Sequence, residues 1–130
     1  MSVHAQWNAD SGQSVAQLVA GDARFAADLD LNAGGSGLVP TPHDLLDASL
    51  ASCTVLTLQL YSKRKQYPME GASVSVTHEE ANGLYQMTRQ IQLTGELNDA
   101  QRADLLRVAN LCPLHKTLSG QFAIATALVA

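Results

Sequence analysis

The chain has 130 residues, 46% of them hydrophobic and 15% charged, with a formal net charge of -4. That length and apolar content fit one packed domain over residues 1–130 and exclude a disordered, charge-solvated chain. Apart from Lys63-Arg64-Lys65 the basic residues are scattered, so no nucleic-acid partner is expected.

The opening residues, MSVHAQWNADSG, lack a basic segment followed by an apolar run, so no secretory leader is expected and the cytoplasm is the expected location. Two cysteines in such a chain point to thiols that stay mostly reduced rather than to a structural disulfide framework.

Residues 14–20 and 24–29 have the character of two short strands around a Gly21-Asp22 turn. A linker, Asn32-Ala33-Gly34-Gly35-Ser36-Gly37, leads into Pro40-Thr41-Pro42 and a long helix. Thr41 is suited to cap that helix and Pro42 to its first position, while Asp44 and Asp47 complement the positive end of its dipole. Leu46, Leu50, Cys53, Thr57 and Leu60 recur at helical spacing, and Leu45, Ala48, Ala51, Val55, Leu56 and Leu58 fill most of the remaining circumference. From Ala48 to Ser62 there is no charge, but the run is too short and too rich in Ser, Thr and Gln to span a bilayer, which takes roughly 20 apolar residues. No membrane association is expected. A helix apolar on all sides must be covered on all sides, and a small chain can do this with a second copy, so a homodimer is expected.

After Pro68, residues 72–78 and 84–94 alternate as strands and form a hairpin through Glu80-Ala81-Asn82-Gly83. Tyr85, Met87, Arg89, Ile91 and Leu93 share one face of the second strand. Asn98 caps a second helix whose buried face holds Leu105, Leu106, Val108 and Ala109, and Pro113 interrupts or restarts it. Residues 122–129 close the chain as a strand. Strands, helix, strands, helix, strand is an α+β order with antiparallel sheet.

Cys53 falls inside the long helix and Cys112 immediately before Pro113. A helix restarting at Pro113 sets Cys112 at its cap, where free backbone N–H groups stabilise a thiolate, and a charged His115 would add to this. The alternative is that both cysteines are core residues, as free cysteines often are. A metal centre of Cys53, Cys112 and His115 falls short of the four ligands of a closed zinc site, and no metal or other cofactor is expected.

The stretch from Pro42 to Thr54, PHDLLDASLASCT, and the stretch from Ala109 to Leu118, ANLCPLHKTL, resemble the two cysteine motifs of the OsmC (osmotically inducible protein C) family, which includes the organic hydroperoxide resistance proteins. The resemblance runs from about Gly34 to the C-terminus. It implies an intertwined homodimer with the cysteines at its interface and reduction of small hydroperoxides. In that scheme Cys53 is oxidised to a sulfenic acid, Cys112 condenses with it to a disulfide, and a dithiol reductant resets the pair. The peroxidase branches carry a glutamate ten positions before the first cysteine, and His43 stands there in this chain. Asp44 is the nearest substitute, but nine helical residues separate it from Cys53 by roughly 13 Å along the axis. Arg89, on an inward-facing strand position, is the candidate guanidinium for a thiolate, the alternative being a pair with Glu79 or Glu96. The competing functional reading is a non-catalytic dimer that binds a small apolar or thiol ligand in its interface pocket.

Overall fold

Alternation of apolar and polar residues builds two antiparallel sheets in this computed structural model, which describes residues 2–129. The chain divides into two compact units, Met1–Ala48 and Ser49–Ala130.

In the first unit β1 (Val3–Gln6), β2 (Ala16–Ala20) and β3 (Ala23–Ala27) form a three-stranded sheet with β2 in the middle. The expected Gly21-Asp22 turn joins β2 to β3, with Ala20 opposite Ala23. β1 was not expected, because VHAQ is too short a run to stand out as a strand, and its residues are exposed along their whole length. Both β2 and β3 are shorter than their sequence pattern because Asp28 diverts the chain at their ends. Its buried carboxylate accepts from the Ser14 hydroxyl, from the N–H of Leu29 at 2.8 Å and from the N–H of Ser36 at 2.9 Å. The Ser14 bond first, then those two amides, hold the Asp28 carboxyl down at about 2. A depressed carboxylate pKa contributes stability above its unfolded value, near 3.9, and that contribution is lost as pH falls toward the folded value. Thermal midpoints are therefore expected to fall between about pH 4 and pH 2, and Asp28→Asn should flatten that fall. Identical pH curves for variant and parent would refute the assignment.

In α1 (Pro42–Lys65) the start is fixed by reciprocal bonds: the Asp44 N–H donates to the Thr41 hydroxyl at 3.1 Å and the Thr41 N–H donates to the Asp44 carboxylate at 3.0 Å. Lys63, Arg64 and Lys65 occupy its last turn. Its buried stripe in the single chain is Leu50, Thr54, Leu58 and Ser62, one face of a helix whose apolar residues run nearly all the way round. Leu56 and Leu60 are 61% and 51% exposed in the single chain, so one chain does not cover this helix all round.

β4 (Met69–Ala81) and β5 (Leu84–Gly95) pair along their length as the expected hairpin. Asn82 and Gly83 turn it with φ of 55° and 76°, the left-handed pair that a two-residue hairpin loop requires. Odd-numbered residues of β5 from Tyr85 to Leu93 face inward, so Arg89 shares a face with Met87 and Ile91.

α2 (Asp99–Ala109) opens with Asn98, whose side chain accepts from the Gln101 N–H while the Gln101 side chain accepts from the Asn98 N–H. Leu105, Val108 and Ala109 are buried and cluster with Leu58 and Leu97, with Tyr61, Tyr67, Ile91 and Leu93 around them. Leu106 was expected in that face, but it is 60% exposed, because the buried stripe runs through Leu105, Val108 and Ala109 and leaves Leu106 and Arg107 outside it. Asp104 fastens α2 to the end of α1, accepting from the Tyr67 and Tyr61 hydroxyls at 2.7 Å each and from Arg107. These bonds, Tyr67's first, hold its carboxyl well below the usual carboxylate range, and they push Tyr67 up to about 12.

α3 (Pro113–Leu118) restarts the chain after α2, as expected from Pro113. The closing strand is a correction, since residues 121–129 form no strand. A strand needs a neighbouring edge for its N–H and C=O groups, and in the single chain this segment pairs with none of β1–β5, so Phe122, Ile124 and Leu128 stand exposed. Among the described residues no helix is long and apolar enough to cross a membrane.

Candidate functional site

Three elements of the second unit converge on the Cys112 sulfur. The first is α3, because Cys112 is its N-cap and the Sγ accepts from the His115 N–H at 3.3 Å. The second is α1, which turns the Thr54 hydroxyl toward the sulfur at 3.9 Å while that hydroxyl donates to the Leu50 carbonyl at 2.7 Å. The third is β5, whose alternation points Arg89 inward, with Nη1 3.8 Å from the sulfur and 3.0 Å from the Thr54 hydroxyl. Cys112 is fully buried within this cradle.

The other arm of Arg89 is also held. Nη2 donates to the Asn110 side-chain oxygen at 3.0 Å and meets His115 Nδ1 at 3.1 Å. A guanidinium only donates, so Nδ1 is the acceptor and carries no proton. His115 thus meets the site through its backbone amide, which donates to the sulfur, and through the contact of its ring with Arg89. Among the described residues, Arg89 bonds Thr54, Cys112, Asn110 and His115 and no carboxylate, in contrast to the expected alternative of Glu79 or Glu96. A guanidinium held by neutral groups keeps its whole charge for the sulfur beside it.

Cys53 is a free thiol in a different setting, partly buried on α1, with the Thr57 hydroxyl at 3.9 Å. Its neighbour Thr54 touches the Cys112 sulfur, so the two cysteine segments meet one residue apart on the helix. Cys112, Arg89 and His115, all anticipated from sequence, come together here. Asp44 is engaged in capping α1 with Thr41, and His43 lies exposed in the same first turn. Thr54 and Asn110 were missed. A polar residue in the Leu50, Thr54, Leu58, Ser62 stripe was the available signal for Thr54, and Asn110, two positions before Cys112, gave none.

Beside the cradle lies an open cleft of about 390 Å³, lined by apolar Leu50, Met87, Ile91 and Leu118 and by polar Arg89, Asn110 and His115. Among the described residues no three His, Cys, Asp or Glu side chains gather as a metal site would need.

Fold and site define an α+β protein with two free thiols, one of them held by a guanidinium. The model of the OsmC-like protein family matches residues 34–127, and the chain belongs to that family. Solved structures agree. An OsmC-like protein from Mycoplasma pneumoniae superposes with a TM-score of 0.76 at 18% identity, covering 92% of this chain and 86% of the other. Organic hydroperoxide resistance proteins from Elizabethkingia anophelis and Legionella pneumophila give TM-scores of 0.68 and 0.66 at 17% and 18% identity. They cover 91% and 92% of this chain, and 86% and 88% of theirs. At such identities the likeness establishes the fold. No curated protein matches the sequence.

Proposed function

We propose that the protein is a thiol-dependent peroxidase of oxidative-stress defence, working in the cytoplasm as a homodimer through Cys53 and Cys112. The carrying observation is the cradle of Arg89, Thr54 and the His115 amide around the Cys112 sulfur, one helix position from Cys53. Membership of the OsmC-like family supports the same reading.

The Cys53 thiolate attacks the outer oxygen of a hydroperoxide, the O–O bond breaks, and the leaving alkoxide takes a proton to become an alcohol. Cys112 then attacks the resulting sulfenic sulfur, water leaves, and a disulfide forms. A dithiol reductant returns both thiols and is itself oxidised to a disulfide. The dimer is supported by the exposed leucines of α1 and by the unpaired apolar segment 121–129, both of which a second copy would cover.

The test is a count of free thiols by mass spectrometry before and after one equivalent of cumene hydroperoxide, with the peroxide followed in parallel. Loss of both thiols to one Cys53–Cys112 disulfide, with peroxide consumed in proportion, is the expected result. If both thiols persist and the peroxide remains, catalysis is ruled out, and the cleft beside Arg89 becomes a binding site for an apolar or thiol ligand.

A further inference from the structure

The two thiols differ in access and in polar support, and these differences point the same way. In the single chain Cys53 is partly buried on α1, whereas Cys112 is fully buried within its own fold and so stays buried in any assembly. The Cys112 sulfur has the His115 amide at 3.3 Å, an Arg89 nitrogen at 3.8 Å and the Thr54 hydroxyl at 3.9 Å, while the contact of the Cys53 sulfur is the Thr57 hydroxyl at 3.9 Å.

Resting on the two-thiol reading above, we propose that the oxidised pair is reduced with a fixed polarity: the reductant attacks the Cys53 sulfur, and Cys112 leaves as a thiolate held by Arg89 and the His115 amide. Thiol–disulfide exchange requires the attacking sulfur to reach its target and the leaving sulfur to carry away the electron pair, so exposure selects the first and nearby positive charge the second. One thiolate of the dithiol forms a bond to Cys53 Sγ, the Cys53–Cys112 bond breaks, and its electron pair stays on Cys112 Sγ. The second thiol of the reductant, deprotonated to solvent, then displaces Cys53 and closes the reductant's own disulfide, a two-electron exchange overall. Arg89 acts directly on the leaving sulfur, which gives it a catalytic role in resetting the protein.

The disulfide is best prepared with diamide, which makes the test independent of peroxide, and then exposed to glutathione, a single-thiol probe, with acid quenching and peptide mapping. Nearly all of the mixed disulfide should be on Cys53, with Cys112 free. Reduction of the Arg89→Gln disulfide should be about tenfold slower, as loss of leaving-group stabilisation implies, with Arg89→Lys recovering part of the rate. Glutathione on Cys112 or divided between the two, parental reduction rates in Arg89→Gln, or failure of diamide to form an intrachain disulfide would each overturn the proposal. If Arg89→Gln does not fold, the adduct position in the parent chain decides. A chain inert to peroxide whose diamide disulfide still takes glutathione at Cys53 would remove the peroxidase reading and leave the polarity standing.

Discussion

Serine in place of Cys53 is expected to lower hydroperoxide consumption by roughly three orders of magnitude or more, to the rate of free peroxide in buffer. The hydroxyl of serine does not ionise near neutral pH, and α1 offers no base beside it, since the contact of the Cys53 sulfur is the Thr57 hydroxyl. Cys112→Ser should behave differently. Its Cys53 retains one oxidation per chain and stops at a sulfenic acid that dimedone traps, because no second thiol displaces the hydroxyl. Peroxide consumption per chain without added thiol, and the mass of the dimedone adduct, distinguish the two variants. A Cys53→Ser chain as active as its parent would move the chemistry to Cys112 or out of the protein.

The largest effect on stability is expected at Leu105. It is fully buried where α2 meets Leu58 of α1, among Leu97, Val108 and Ala109. Truncation to alanine should cost about 2–5 kcal/mol, the transfer of the lost atoms plus the cavity they leave. Leu106→Ala, one position along the same helix but 60% exposed, should stay within about 0.5 kcal/mol in the single chain. Urea unfolding at fixed protein concentration, with the slope checked for constancy, measures both. Equal losses at the two positions would mean that the packing side of α2 has been assigned to the wrong register.

The hydrophobic pattern of the chain carries much of this outcome. Pro42 after Thr41, the Asn98 to Gln101 capping box, the Asn82-Gly83 turn and Pro113 each act within a few residues, so the starts of α1, α2 and α3 and the β4–β5 hairpin could be read from sequence. Strict alternation put Arg89 on the inward face of β5, and the Cys-Pro pair set Cys112 at a helix start, so two of the converging groups were legible for the same local reason.

What lay beyond local rules was decided by contacts distant in sequence. A helix with apolar residues on every side, such as α1, does not reveal which stripe a neighbour will bury, and packing selected Leu50, Thr54, Leu58 and Ser62. That selection brought Thr54, rather than Cys53, against Cys112 across 58 positions of sequence, and Arg89 onto both Thr54 and the sulfur. Segment 122–129 shows the converse, because apolar, branched residues favour a strand but cannot form one without an edge to bond. The sequence by itself determined the starts of the three helices, the β4–β5 hairpin, their order and the two thiols. Tertiary structure decided which thiol is surrounded by donors, because charge and hydrogen bonds act over a few ångströms of space regardless of where their residues stand in the chain.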